Sequence, residues 1–110
     1  MKQKITTKQL FALNRLLNNI KDFSDAGFGN INDVEVLSYN PNKENIYVKF
    51  EKIFQESGSI KVEYPIASID YNGEIVFIEN QFKDIFQRSA FFSECTKIDI
   101  ENPNDYEKID

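Results

Sequence analysis

The chain contains no histidine, no tryptophan and a single cysteine, Cys95. Without histidine there is no Ser-His-Asp triad, no Cys-His pair, no H-E-x-x-H zinc helix and no facial-triad iron site. One cysteine excludes an internal disulfide, a cysteine-rich zinc site and a C-x-x-C redox pair. Long apolar runs are missing as well, since Asn14 and Arg15 interrupt the stretch from Leu10 to Leu13. Neither a signal-peptide core nor the roughly 18 to 20 apolar residues of a membrane span can be assembled. The expectation is a cytoplasmic protein with a reduced thiol and no membrane partner.

What is present is enough for a core. Of 110 residues 41% are hydrophobic, 10 of them Phe, and a chain of this length holds one domain. Residues 1–101 read as a single α+β domain and residues 102–110 as an acidic, flexible tail. Lys outnumbers Arg 11 to 2, with 14 Ile and 12 Asn. These residues use A- and T-rich codons, which points to an AT-rich bacterial, phage or plasmid gene.

Thr6 and Gln9 have the spacing of a capping box, and Ile5 with Leu10 that of a hydrophobic staple. Leu10, Leu13, Leu16, Leu17, Ile20 and Phe23 then recur on one helical face. The two glycines of Ser24-Asp25-Ala26-Gly27-Phe28-Gly29-Asn30 end this first helix. From Asn32 the period becomes two. Strands are predicted around residues 32–39, 46–50 and 60–64, with turns at 40–43 and 56–59 and a bulge or bend after Phe50. Pro65 places its strand at an edge or divides it.

Asn72-Gly73 predicts a type I′ hairpin pairing Ile69 with Val76 and Ala67 with Ile78. Asn80 is the expected cap of a second helix with a buried stripe of Phe82, Ile85, Phe86, Ser89 and Phe92. A short strand over Thr96–Glu101 follows. The expected architecture is α+β: an N-terminal amphipathic helix, an antiparallel sheet of about four strands, a second helix and a short C-terminal strand. Both helices are expected on one face of the sheet.

Catalytic signals are weak, and no catalytic residue, metal ligand or cofactor is assigned. Asp70 has apolar neighbours that can raise a carboxyl pKa, but an Asp beside a tight turn is ordinary. Cys95 reads as a small, partly buried, inert thiol. Gly27-Phe28-Gly29 lacks the third glycine and the Gly-Lys-Ser/Thr ending of a phosphate loop. The oxygens between Asp25 and Asp33 lack calcium-loop spacing.

Charge is unevenly distributed. Residues 1–21 carry +5 and the remaining residues −10, giving the net −5. Lys8, Phe11, Arg15 and Asn18 share the helix face opposite the leucines, a basic stripe with one aromatic. If the second helix continues through Glu94, Phe91 lies on its polar side with Asp84, Gln87 and Arg88, and Phe28 lies in the glycine-flanked loop. The alternative is that Phe91 falls past the helix end and tucks into the core, with Phe28 capping it. Off-pattern aromatics are what interfaces use as anchors. Glu63, Glu74 and Asp70 belong to the acidic body.

These features point to a non-catalytic binder that blocks a macromolecular partner, a protein with a basic surface. Phage-encoded anti-defence proteins and bacterial immunity proteins are inhibitors of this size and charge. The expected contact residues are Phe11, Lys8, Arg15, Phe28, Phe91, Arg88, Glu63, Glu74 and Asp70. One alternative is a nucleic-acid-associated module using the basic helix, although few cations face a −10 body. A further alternative is a carboxylate- or Tyr-based enzyme. The edge strand beside Pro65 also permits a homodimer.

Overall fold

A computed structural model describes residues 2–25, 30–78 and 81–110. The chain order is β1 (Gln3–Thr6), α1 (Thr7–Asp25), β2 (Asn30–Tyr39), β3 (Asn42–Glu56), β4 (Ser59–Glu63), β5 (Ile66–Ile69), β6 (Ile75–Phe77), α2 (Ile85–Ser93), β7 (Cys95–Ile98) and β8 (Tyr106–Ile109). The class is α+β, as read from the sequence, with more strands than the four expected. A six-stranded antiparallel sheet runs β6-β5-β3-β2-β7, with β4 beside the far half of β3.

The start of α1 follows its sequence signature. Thr6 N–H donates to Gln9 Oε1 at 2.9 Å and Gln9 N–H donates to Thr6 Oγ1 at 3.0 Å, the reciprocal bonds of a capping box. Ile5, Ala12, Leu13 and Leu16 are buried against Val36, Ile46, Val48, Phe50, Ala67, Ile69 and Ile98, with Leu10 and Leu17 packed at the margin. The side chains of Ile20 and Phe23, and all of Phe28, lie outside the described residues.

The second cluster lies on the other side of the sheet. Leu37, Tyr47, Ile66 and Phe91 form it, with Tyr39, Ile78, Phe82, Phe92 and Cys95 packed around them. Val36 and Leu37 are successive strand residues and point to opposite faces, as do Tyr47 and Val48. The two helices therefore cover opposite faces, correcting the expectation that both lie on one. Tyr47 and Leu37 supply the apolar surface that α2 covers.

Strand β3 is 15 residues long because it changes partner midway. Its pairs with β5 (Ile46↔Ile69 to Lys49↔Ile66) and with β4 (Lys52↔Glu63 to Glu56↔Ser59) keep one register throughout. Pro65 divides β4 from β5 without a slip, and its carbonyl still accepts from Phe50 N–H at 3.2 Å. The bulge sits on β2, opposite Phe50. The register shifts between Asn32 and Glu35, and Asp33 adopts φ +51° there, so two residues oppose one.

The hairpin after β5 is one residue off the expected pairing: Ile69 pairs with Ile75 and Ala67 with Phe77. Asp70 decides this. Its Oδ1 accepts from Asn72 N–H at 2.9 Å and Glu74 N–H at 3.0 Å, and Gly73 N–H donates to Asp70 O at 2.9 Å. Among the three loop residues only Gly73 takes positive φ, +79°, which is a type I turn closed by a left-handed glycine. A slip of one residue exchanges the faces. Ile75 therefore joins the α1 core, and Val76 is exposed. The loop is pressed on the first turn of α1, where a Cβ at Gly73 would lie 2.7 Å from the Lys8 carbonyl oxygen. Thr6 Oγ1 also donates to Tyr71 O at 2.7 Å.

Two further differences concern the ends. Residues at 102–110, read as a tail that packs little, include β8, which pairs in parallel with β1 from Gln3↔Tyr106 to Thr6↔Ile109. Gln3 is buried, and its Oε1 accepts from Ser38 Oγ at 2.6 Å, tying β1 to β2. The second helix starts at Ile85, not after Asn80, which is outside the described residues. Asp84 is its cap, its carboxylate accepting from Gln87 N–H at 2.9 Å. Among the described residues no helix is long and apolar enough to cross a membrane.

Candidate functional site

Helix α2 carries apolar side chains on two sides. Its inner side is Phe91, 8% exposed, whose ring centroid lies 4.6 Å from that of Tyr39, 5.1 Å from Tyr47 and 5.4 Å from both Phe82 and Phe92. Phe91 is thus the centre of the second core and not a contact residue on the polar side of the helix. The reason is the start of the helix. With Asp84 as the cap, Phe82 lies outside the helix and packs against Phe91. The buried face therefore runs through Phe91, while Ile85 and Phe86, expected inside, are 72% and 80% exposed.

Beside these two residues a cleft of about 520 Å³ opens between α2, Lys49 on β3 and Tyr64 after β4. Arg88 forms one wall. Its Nη2 donates to Tyr64 O at 2.7 Å, and its guanidinium lies 5.3 Å from the Tyr64 ring centroid and 5.5 Å from that of Phe92. Lys49 Nζ sits 4.7 Å over the same Phe92 ring. Cations held over aromatic faces keep their charge while covering apolar surface. The site is a cationic-aromatic floor with Asp84 and the exposed Ile85 on its border and Phe86 next to it in the helix. Nothing in the sequence pattern marked Ile85 and Phe86, because their spacing fits a buried stripe as well as an exposed one.

Comparison with protein-family models, with curated proteins and with solved structures gives no match for this chain. The remaining expected contact residues are judged by their placement. Lys8, Phe11 and Arg15 are exposed together on the outer face of α1, Phe11 at 71%. Glu63 is exposed on β4 opposite Lys52, and Glu74 is exposed in the β5–β6 loop. The Asp70 carboxylate is occupied by the two backbone N–H groups of that loop. Glu35, Asp99 and Asp105 line a second cleft, of about 610 Å³, with apolar walls from Leu17, Val34 and Ile100. Lys97 reaches Glu35 at 3.6 Å on its rim. No group of three or more Cys, Asp or Glu side chains able to hold a metal ion occurs among the described residues.

Cys95 is held under α2, its Sγ donating to Phe91 O at 3.3 Å. Burial pushes its thiol up to about 11, with the neighbouring Glu94 carboxylate adding to the effect. Burial also raises the Tyr47 phenol. A reactive cysteine needs the opposite shift. At neutral pH Cys95 is expected to alkylate on the order of 100-fold more slowly than a free peptide thiol, recovering the peptide rate in denaturant. The neutral thiol is favoured in the folded state. Its contribution to stability is complete below the unfolded value of about 8.5 and is lost as pH rises toward 11. Thermal melts across that window are expected to fall with pH, and a flat profile contradicts the assignment.

Proposed function

We propose that this protein acts by binding and blocking a partner protein with a basic surface, anchored through Ile85 and Phe86 on α2, with the partner's basic groups facing the acidic body beyond the Lys49 and Arg88 cleft. The observation that carries this reading is the pair Ile85 and Phe86, 72% and 80% exposed on a helix whose inner side is already filled by Phe91. Adjacent exposed apolar residues on a short, well-anchored helix suit an anchor in a partner pocket. The charge of −10 outside the first 21 residues supports a basic partner, since complementary fields speed encounter. A cytoplasmic inhibitor of a bacterial or phage system fits the size, the lone thiol and the Lys-, Ile- and Asn-rich composition.

The test is affinity capture from an AT-rich bacterial host with the wild type and with Ile85→Asp/Phe86→Asp. Both side chains are exposed, so the variant is expected to fold. The wild type is expected to recover a stoichiometric, salt-sensitive partner, and the variant to lose at least about 30-fold in affinity, the loss of one anchor of about 2 kcal/mol. Equal capture by both proteins contradicts the assignment to α2. A second reading rests on Phe11, 71% exposed between Lys8 and Arg15. A nucleic-acid mobility shift at low salt that is lost in Lys8→Glu/Arg15→Glu favours it.

A further inference from the structure

The β3–β4 hairpin has an outer edge with a defined pattern. Its turn, Ser57-Gly58, has positive φ at both residues, 53° and 80°. That two-residue geometry leaves Glu56 and Ser59 as a pair exchanging both backbone hydrogen bonds. By alternation, Lys61 and Glu63 also turn their N–H and C=O groups toward β3, while Ile60 and Val62 turn theirs outward. Pro65 continues the inward series through its bond from Phe50 N–H. All five residues of β4 are exposed, and among the described residues no strand pairs with its outer side. Side chains alternate between the faces. Tyr64 stacks with Arg88 on the α2 side, and Val62 and Ile60, two and four residues earlier, share that side. Lys61 and Glu63 point to the other.

We propose that β4 pairs antiparallel with β4 of a second copy of this chain, about a two-fold axis at Val62, joining the two sheets into one. This register sets Val62 against its counterpart, each Ile60 against a Tyr64 and each Lys61 against a Glu63. The opposed residues Val62–Val62 and Ile60–Tyr64 are those whose backbone groups face outward. The Tyr64 carbonyl, which accepts from Arg88 Nη2 at 2.7 Å, has a second lone pair for Ile60 N–H of the other copy, so the ladder closes. Ile60, Val62 and Tyr64 are 71%, 46% and 42% exposed in the single chain, and the pairing covers them with each other. A register centred on Lys61 also satisfies the backbone. It puts two ammonium groups directly opposite in a close, non-hydrogen-bonded pair, which is destabilising. The charge pattern therefore selects the Val62 register. A lysine in an edge strand ordinarily guards it against pairing; here Glu63, two residues on, supplies the matching charge.

The experiment is light scattering from low micromolar to near-millimolar concentration, with circular dichroism to show that each variant is folded. The wild type is expected to move from 12.8 kDa toward twice that mass. Val62→Pro removes an outward N–H and spares the bonds to β3, so that variant is expected to stay at the single-chain mass. Lys61→Glu alone and Glu63→Lys alone place like charges opposite each other and are each expected to stay single. Mixed, they are expected to associate, because an acidic pair then faces a basic pair. Should Val62→Pro fail to fold, the mixing experiment decides alone. A wild type that stays single at every concentration, a dimer that persists in folded Val62→Pro, or a mixture no larger than its components overturns the proposal.

Discussion

Replacing Phe91 with alanine is expected to lower the free energy of unfolding by about 3–5 kcal/mol, the range for a fully packed Phe. Folded domains of this size hold only about 5–15 kcal/mol in total, so much of the stability rests on one ring. Phe91 is buried among Tyr39, Tyr47, Phe82 and Phe92, with four ring centroids within 5.4 Å. Removing it leaves a cavity between rigid rings that cannot collapse into it. The effect extends to the helix. α2 has nine residues, too few to be helical alone, and Phe91 is its one buried side chain. Urea denaturation measures the loss, with Phe86→Ala as the contrast. Phe86 is 80% exposed, and its removal is expected to change stability by no more than about 0.5 kcal/mol. Similar costs for the two variants contradict this orientation of α2.

Replacing Gln9 with alanine is expected to cost about 2–4 kcal/mol, as several buried polar groups lose their partner at once. Gln9 is 0% exposed. Its Oε1 accepts from Thr6 N–H at 2.9 Å, and its Nε2 donates to Glu44 O at 2.8 Å and to Ile69 O at 3.1 Å. One side chain thus caps α1 and ties it to β3 and β5. Gln9→Glu separates the cap from the cross-links. It retains an acceptor for Thr6 N–H but turns a carboxylate oxygen toward two carbonyl oxygens. At neutral pH it is expected to be worse than alanine, because a buried unpaired charge is added. It is expected to improve as pH falls and the carboxyl protonates. Melts of both variants at neutral and acid pH check this; a Gln9→Glu protein as stable as the wild type at pH 7 refutes the cross-linking role.

The contrast between these two residues shows what the sequence can carry. Gln9 was legible because a capping box is a local rule, two residues at a fixed spacing before an apolar run. The leucine stripe of α1, the turns at residues 40–43 and 56–59 and the division at Pro65 are local in the same sense. Phe91 was not legible. Its orientation depends on where α2 begins, and Asp84 and Asn80 are both good caps by type. The hairpin register failed for a related reason. Asn72-Gly73 is a strong turn signal, but Asp70 offers two backbone N–H groups a competing acceptor and draws one more residue into the loop. The placement of α2 on the second face is hidden in β3, where the buried Tyr47 shares a face with the charged Lys49 and Glu51. Of the candidate contact residues, the exposure of Phe11, Lys8 and Arg15 followed from helical periodicity. Ile85 and Phe86 came from the fold alone.

The parallel pairing of β1 with β8 has a mechanical consequence. The two strands run in the same direction, and the chain leaves them at opposite ends, through Lys2 at the start of β1 and Asp110 at the end of β8. A tension applied between these two residues pulls the strands past each other lengthwise. The bonds of all four residue pairs are then loaded together in shear, not opened one after another as at the mouth of a hairpin. The two short strands make a clamp that holds the rest of the molecule out of the line of force until it gives way as a unit.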